Sequence, residues 1–179
     1  MWNGLPVIGF VGPSSTGKTA LLEQLVRALE RRGLSVGVVK HSCHDVCTDQ
    51  PGKDSARLYA AGARAVALAA QNQIATFVRR EMPPRLADAL TSLPAGLDIV
   101  LVEGFSWERI PRYRLRPEGS TTGDPHQDHG PLLGTIVVRA NRKRGEPLFP
   151  PHVVEGLIRD IASLAGRDAV GLPGASPQE

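Results

Sequence analysis

The chain predicts an α/β fold: a three-layer sandwich built on a mostly parallel sheet. Two observations predict it. Short apolar runs alternate with helix-period segments along most of the chain. The first such run, Val7-Ile8-Gly9-Phe10-Val11, leads directly into Gly12-Pro13-Ser14-Ser15-Thr16-Gly17-Lys18-Thr19, which fits the phosphate-loop pattern G-x-x-x-x-G-K-T without a mismatch.

The elements follow in order. Leu5–Val11 is the first strand, continuous in apolar residues as a buried parallel strand should be. Ala20–Arg32 is a helix whose Leu21, Leu22, Leu25, Val26 and Leu29 form one apolar stripe, and Arg31-Arg32-Gly33 closes it with cations at the negative end and a glycine cap. Ser35–Lys40 is the second strand. A polar loop, 41–52, leads to a helix over Lys53–Ala61 that Gly62 ends. Ala65–Ala70 and Ile74–Arg79 read as short strands. Pro83-Pro84 opens a helix to Leu93, and Pro94-Ala95-Gly96 stops it. Asp98–Val102 is the most strand-like run of all. Arg112–Arg116 and Thr135–Val138 supply further strands, and His152–Ala165 the last helix. Pro117–Pro131, rich in Gly, Pro, Asp and His, reads as a mobile loop, and Arg167–Glu179 as a disordered tail. A single phosphate-loop domain over residues 1–166 is expected, with the tail at 167–179.

The bulk numbers narrow the function classes. The 179 residues carry a net charge of +3, too little to argue for nucleic acid. No run of 18 apolar residues is present, so no membrane span is expected. Two cysteines, Cys43 and Cys47, do not make a disulfide framework. With no signal-type N-terminus, a cytoplasmic location is expected.

The chemistry concentrates at two strand ends. In the loop, Gly12 and Gly17 allow backbone conformations that turn consecutive N–H groups inward on a phosphate, and the helix adds its positive end. Lys18 is placed to reach β- and γ-phosphates and the Thr19 hydroxyl to ligate Mg²⁺. Asp98-Ile99-Val100-Leu101-Val102 then delivers Glu103, with Gly104 behind it, as the metal-side carboxylate, direct or water-bridged. The alternative is a strand-end acid facing solvent.

Off the second strand, Lys40, His41, Cys43, His44, Asp45, Cys47 and Asp49 crowd one loop, on the edge where open α/β sheets bind ligands. Phosphate or Mg²⁺ contacts from Lys40, His41, His44 and Asp49 compete with a Zn²⁺ site, whose spacing matches no recognised pattern, while both cysteines read as plain thiols. Lys53 and Asp54 open the next helix, facing the phosphate edge or solvent. Arg112, Arg114 and Arg116 alternate on a strand and share a face, either an anion-binding row or a solvated edge guard. Asp124, His126, Asp128 and His129 resemble metal-binding chemistry in composition only. Trp107, beside a strand end, reads as packing rather than as a stacking platform.

Taken together, the phosphate loop, Val39-Lys40-His41-x-x-His44-Asp45, Pro51-Gly52-Lys53-Asp54-Ser55, Ala61-Gly62-Ala63 and Leu101-Val102-Glu103-Gly104-Phe105 resemble the MobB family, the molybdopterin-guanine dinucleotide biosynthesis adapter proteins. Order and spacing agree from about Val7 to Phe105. The resemblance implies a P-loop NTPase-like fold, GTP and Mg²⁺ as ligands, a homodimer, and a MobA-type nucleotidyltransferase as partner, with molybdopterin as a further ligand. It implies an adapter with weak GTPase activity at most. Carried onto matching positions, Gly12, Pro13, Ser14, Ser15, Thr16, Gly17, Lys18 and Thr19 hold the nucleotide phosphates. Lys40, His41 and Asp54 sense phosphate or metal, and Thr19 and Glu103 hold the metal. The chain departs from the family where Lys often follows Glu-Gly-Phe: here Ser106 and Trp107 stand, with Arg109 as the nearest substitute cation. No Asn/Thr-Lys-x-Asp guanine motif occurs, and Asn141 stands where a base-reading Asp would be expected. A metallochaperone GTPase and an ATP-dependent small-molecule kinase are the competing functions.

Overall fold

The structure is a computed structural model that describes residues 1–42, 52–120, 129–139 and 147–164. Within it the chain divides into two compact units, Met1–His41 with Leu90–Glu179, and Ser42–Ala89.

The larger unit is an open, wholly parallel five-stranded sheet in the order β2-β5-β1-β6-β7, formed by β1 (Val7–Val11), β2 (Val36–Lys40), β5 (Ile99–Glu103), β6 (Arg112–Pro117) and β7 (Leu132–Val138). β1 and β5 are buried along their whole length, which is why both read as unbroken apolar runs. Helices α1 (Lys18–Glu30) and α4 (Pro151–Leu164) pack on one face of this sheet. Leu21, Leu25, Leu29, Leu157, Ile158 and Ile161 meet Ile8, Phe10, Ile99, Leu101 and Leu115 there. On the opposite face of β2, a Cβ placed at Gly37 would lie 2.7 Å from Leu97 and 3.2 Å from Leu93, so the segment after α3 (Leu86–Thr91) covers that side and completes three layers.

The smaller unit holds α2 (Asp54–Ala60) and an antiparallel hairpin of β3 (Ala65–Ala69) and β4 (Ile74–Val78). Arg79 lies over the Tyr59 ring at 4.3 Å and donates to the Tyr59 carbonyl, tying the end of β4 to α2.

Most element boundaries agree with the sequence reading to within two residues; the exceptions have local causes. Helix α1 starts at Lys18, two residues before the expected Ala20, because Gly17, at φ 81, is its N-cap. Its end matches the expectation: Gly33 donates to Glu30 and Leu34 to Leu29, and the two leucines are buried together. Val26 is only partly buried and Ala28 takes the place in the core. The helix expected from Pro83 begins only at Leu86: a proline disfavours helical backbone at the residue before it, and the Asp88 carboxylate accepts from the Arg85 N–H at the new start. In the stretch expected to be a mobile loop, β6 runs through Pro117 and β7 already begins at Leu132; residues 121–128 lie outside the described residues, as does the tail from 165 onward.

Candidate functional site

In a parallel sheet all carboxyl ends lie at one edge, and register decides which residues share a row there. Phe10 and Lys40 both pair with Glu103. The last residues of β2 and β5 therefore stand side by side where the phosphate loop leaves β1.

The loop has the torsions such a cradle requires. Gly12, Ser15 and Gly17 have φ of 146°, 63° and 81°. Alternation of handedness along a short segment is what lets successive N–H groups converge. Gly12 is also irreplaceable on space, since a Cβ would fall 2.2 Å from the Leu115 carbonyl oxygen. Thr16 is buried and its hydroxyl donates to the Pro13 carbonyl, bracing the loop from within. Leu148 closes against Gly17, where a Cβ would lie 2.4 Å from its side chain. Lys18 folds back to donate to the Gly12 and Pro13 carbonyls at 2.9 and 2.6 Å. Burial holds its ammonium below the ordinary lysine pKa; the nearby Glu103 carboxylate opposes that shift and Lys40 adds to it.

Beside the loop, the Thr19 hydroxyl donates to Glu103 Oε2 at 2.9 Å. Lys40 Nζ lies 3.3 Å from Glu103 Oε1 and 3.2 Å from Thr19 Oγ1. A hydroxyl and a nearly buried carboxylate, already answered by a positive charge, are the hard-oxygen donors that suit Mg²⁺. The donor set therefore fits the ion that the sequence implies at Thr19 and Glu103, and Glu103 is not a solvent-facing acid.

His41 follows Lys40 and its N–H donates to the Glu103 carbonyl at 2.9 Å. Its ring joins an aromatic group: Phe105 at 5.0 Å and Trp107 at 4.9 Å, the latter perpendicular. Phe105 is buried at φ 52°, and Trp107 packs on both the His41 and Phe105 rings, as expected of it, while leaving half its surface, 50%, exposed. Gly104 is needed here because a Cβ would approach that of His41 to 2.9 Å.

The arginine row divides. The three residues alternate along β6, which lies between β1 and β7 rather than at a sheet edge; Arg116 is exposed as the solvated reading expects, but Arg112 is not. Arg112 is fully buried, and its guanidinium donates to the carbonyls of Ser106, Glu108 and Ile110. Arg116 donates to the Ser120 carbonyl, and Arg114 is half-buried between them. The covering loop lies earlier in the chain, and Gly130, whose Cβ would strike the Ile110 carbonyl, closes over it; neither contact is visible in a strand pattern.

Other expected residues fall elsewhere. Asp54 begins α2 in the smaller unit, exposed and 3.4 Å from Arg57. Cys43, His44, Asp45, Cys47, Asp49, Asp124, His126, Asp128 and Asn141 lie outside the described residues. Among the described residues no three His, Cys, Asp or Glu side chains gather as a metal cluster, and no helix is long and apolar enough to cross a membrane.

Fold and site together define a P-loop NTPase-like α/β protein. The family model for molybdopterin guanine dinucleotide synthesis protein B, MobB, matches residues 7–138, further than the motifs alone reach. The chain is 39% identical over 129 residues to a molybdopterin-guanine dinucleotide biosynthesis adapter protein of Haemophilus influenzae, covering 72% of each. It is 39% identical over 121 residues to one of Escherichia coli, covering 65% of this chain and 68% of that one. A crystal structure of molybdopterin-guanine biosynthesis protein B superposes with a TM-score of 0.64 at 30% identity, over 90% of this chain and 99% of that. The MobB homologue of Bacillus stearothermophilus gives 0.61 at 26%, over 88% and 98%. The chain belongs to the MobB family.

Proposed function

We propose that this protein is an adapter in molybdopterin guanine dinucleotide biosynthesis that binds GTP with Mg²⁺ and assists a MobA-type nucleotidyltransferase. One observation carries the reading: the glycine-hinged loop, Lys18 and the Thr19–Glu103 contact of 2.9 Å stand together at one sheet edge inside the stretch that matches the family. The loop N–H groups and Lys18 bind the triphosphate. Thr19 and, directly or through water, Glu103 hold the metal, which neutralises phosphate charge when bound. Lys40 and His41 flank the terminal phosphate, and Asp54 is a further candidate on α2. With no strong general base among the described residues, an attacking water is poorly oriented and hydrolysis is slow.

Membership of the family supports a partner enzyme, and the smaller unit supports a homodimer. β3 and β4 carry no charged residue, and Ile74 is 75% exposed. A lone hairpin is marginal in water and gains from a second copy. A cytoplasmic site of action is part of the same reading.

Calorimetry with GTP and ATP in the presence of Mg²⁺, together with capture of the nucleotidyltransferase, tests it. One GTP per chain, weaker ATP, loss of binding in Lys18→Ala with the fold retained, and partner capture are expected. Absence of GTP binding would sink the reading. Turnover above about 1 s⁻¹, within the usual enzyme range, would replace the adapter with a catalytic GTPase.

A further inference from the structure

We infer that Trp107 is the stacking platform for a planar fused heteroaromatic ring of the pterin class, and that Arg112 is the positioning residue that holds it there. The inference rests on the function proposed above and adds where the second ligand sits.

An exposed indole is common enough at a surface; an exposed indole that is fixed is not. The Arg112 guanidinium binds the carbonyls of Ser106 and Glu108, the residues on either side of Trp107. The indole meets His41 at 90° with 4.9 Å between ring centres, and Phe105 at 5.5 Å. His41 is itself anchored by its N–H on Glu103 and by the Phe105 ring. The ordering cost of the aromatic surface is thus met before a ligand arrives, which raises the affinity a stacked ring can reach.

Location selects the ligand. His41 is one residue beyond Lys40, and Phe105 is two beyond Glu103, so the platform adjoins the metal-and-ammonium end of the phosphate site. A nucleoside triphosphate gripped by the loop carries its base at its opposite, α-phosphate end. A ring stacked beside Glu103 and Lys40 therefore belongs to a second molecule. A pterin bearing a phosphate monoester meets both features, with its ring on the indole and its phosphate toward Lys40.

The chain has two tryptophans, so Trp2→Phe leaves Trp107 as the sole indole reporter. In that background, quenching and calorimetry are followed with a 6-substituted pterin phosphate monoester, the same pterin without phosphate, and GTP with Mg²⁺. We expect saturable quenching by both pterins, tighter with the phosphate. Trp107→Ala should weaken pterin binding at least tenfold and Trp107→Tyr restore most of it. Arg112→Lys should weaken pterin binding at least fivefold and shift the Trp107 emission. GTP affinity should stay within twofold throughout. Unchanged pterin affinity by calorimetry in Trp107→Ala, or an equal loss of GTP affinity in that variant, would overturn the inference. So would loss of nucleotidyltransferase capture alone, which would make the indole a protein contact. Failure of the wild type to bind GTP would instead strike the function proposed above, and the pterin titration without nucleotide would still judge the platform.

Discussion

Replacing Arg112 by Met tests the correction the structure makes to the arginine row. The substitution keeps length and apolar volume but removes every donor. Three carbonyls, those of Ser106, Glu108 and Ile110, lose their partner. Each is part-buried, so stranding it costs about 1 kcal/mol at the low end, or roughly 3 kcal/mol together. Release of the guanidinium from a buried site beside Arg114 offsets some of the gross loss, and for that reason the low end is used. For a chain of this length about 1 kcal/mol moves Tm by about 2–4 °C, so a fall of roughly 6–12 °C is expected. Thermal unfolding followed by circular dichroism and by Trp107 emission measures it, with Arg112→Lys as a partial rescue that restores at least one bond. A fall under about 2 °C would refute the clamp and return Arg112 to the solvated strand face.

Gly12→Ala sets a Cβ 2.2 Å from the Leu115 carbonyl at φ 146°, so we expect loss of GTP binding and a destabilisation of about 1–3 kcal/mol by urea titration; wild-type values in both would count against the loop geometry. Tyr113→Phe removes the hydroxyl that donates to Asp160 at 2.9 Å between β6 and α4, and should cost about 1–2 kcal/mol by the same method without changing GTP affinity. The depressed Lys18 pKa predicts proton linkage. Below its own pKa the free ammonium is charged and binding takes up no proton there; above it, and below the raised pKa of the complex, GTP binding draws a proton in, and affinity falls as pH rises. Calorimetry over a rising pH series, in buffers of different ionisation heat, should show proton uptake setting in below the range where an ordinary lysine loses its proton; uptake that begins only in that range would refute the shift.

What could be read in the sequence was what is local or periodic. The loop, the strand before it, the buried run ending in Glu103 and the Gly33 cap each rest on residues within a few positions of one another. Pairing of Glu103 with Lys40 was also within reach, because parallel strands put their ends in one row. Burial of Arg112 was not. Alternation correctly put three arginines on one face, but which of them is covered depends on residues 106–110 folding back and on Gly130 closing over them. Trp107 packs on Phe105, two residues before it, which is a local contact, and on His41, which meets it only through the register of β2 with β5. The helix before β5 was over-extended because a double proline marks a boundary without saying how many residues later the helix begins.

The free site already spends its cations on protein oxygens. Lys18 binds two loop carbonyls and Lys40 binds Glu103 and Thr19. On the function proposed above, a triphosphate with its metal would compete with both sets of contacts: Lys18 would turn from carbonyls to phosphate, and Thr19 and Glu103, the residues that would hold the metal, would release Lys40. Each exchange trades one charge-assisted contact for another, so the net gain per contact is smaller than for an unpaired lysine. Lys40, released from Glu103, is then free to face an anion on the side where His41 and Trp107 stand. Either ligand can reach its site alone, but the geometry favours nucleotide and metal as the first and the phosphate of the stacked ring as the second. The second should therefore bind more tightly when the first is present, and by linkage the first more tightly when the second is present. If Lys40→Ala left that coupling intact, the ammonium would not be its carrier.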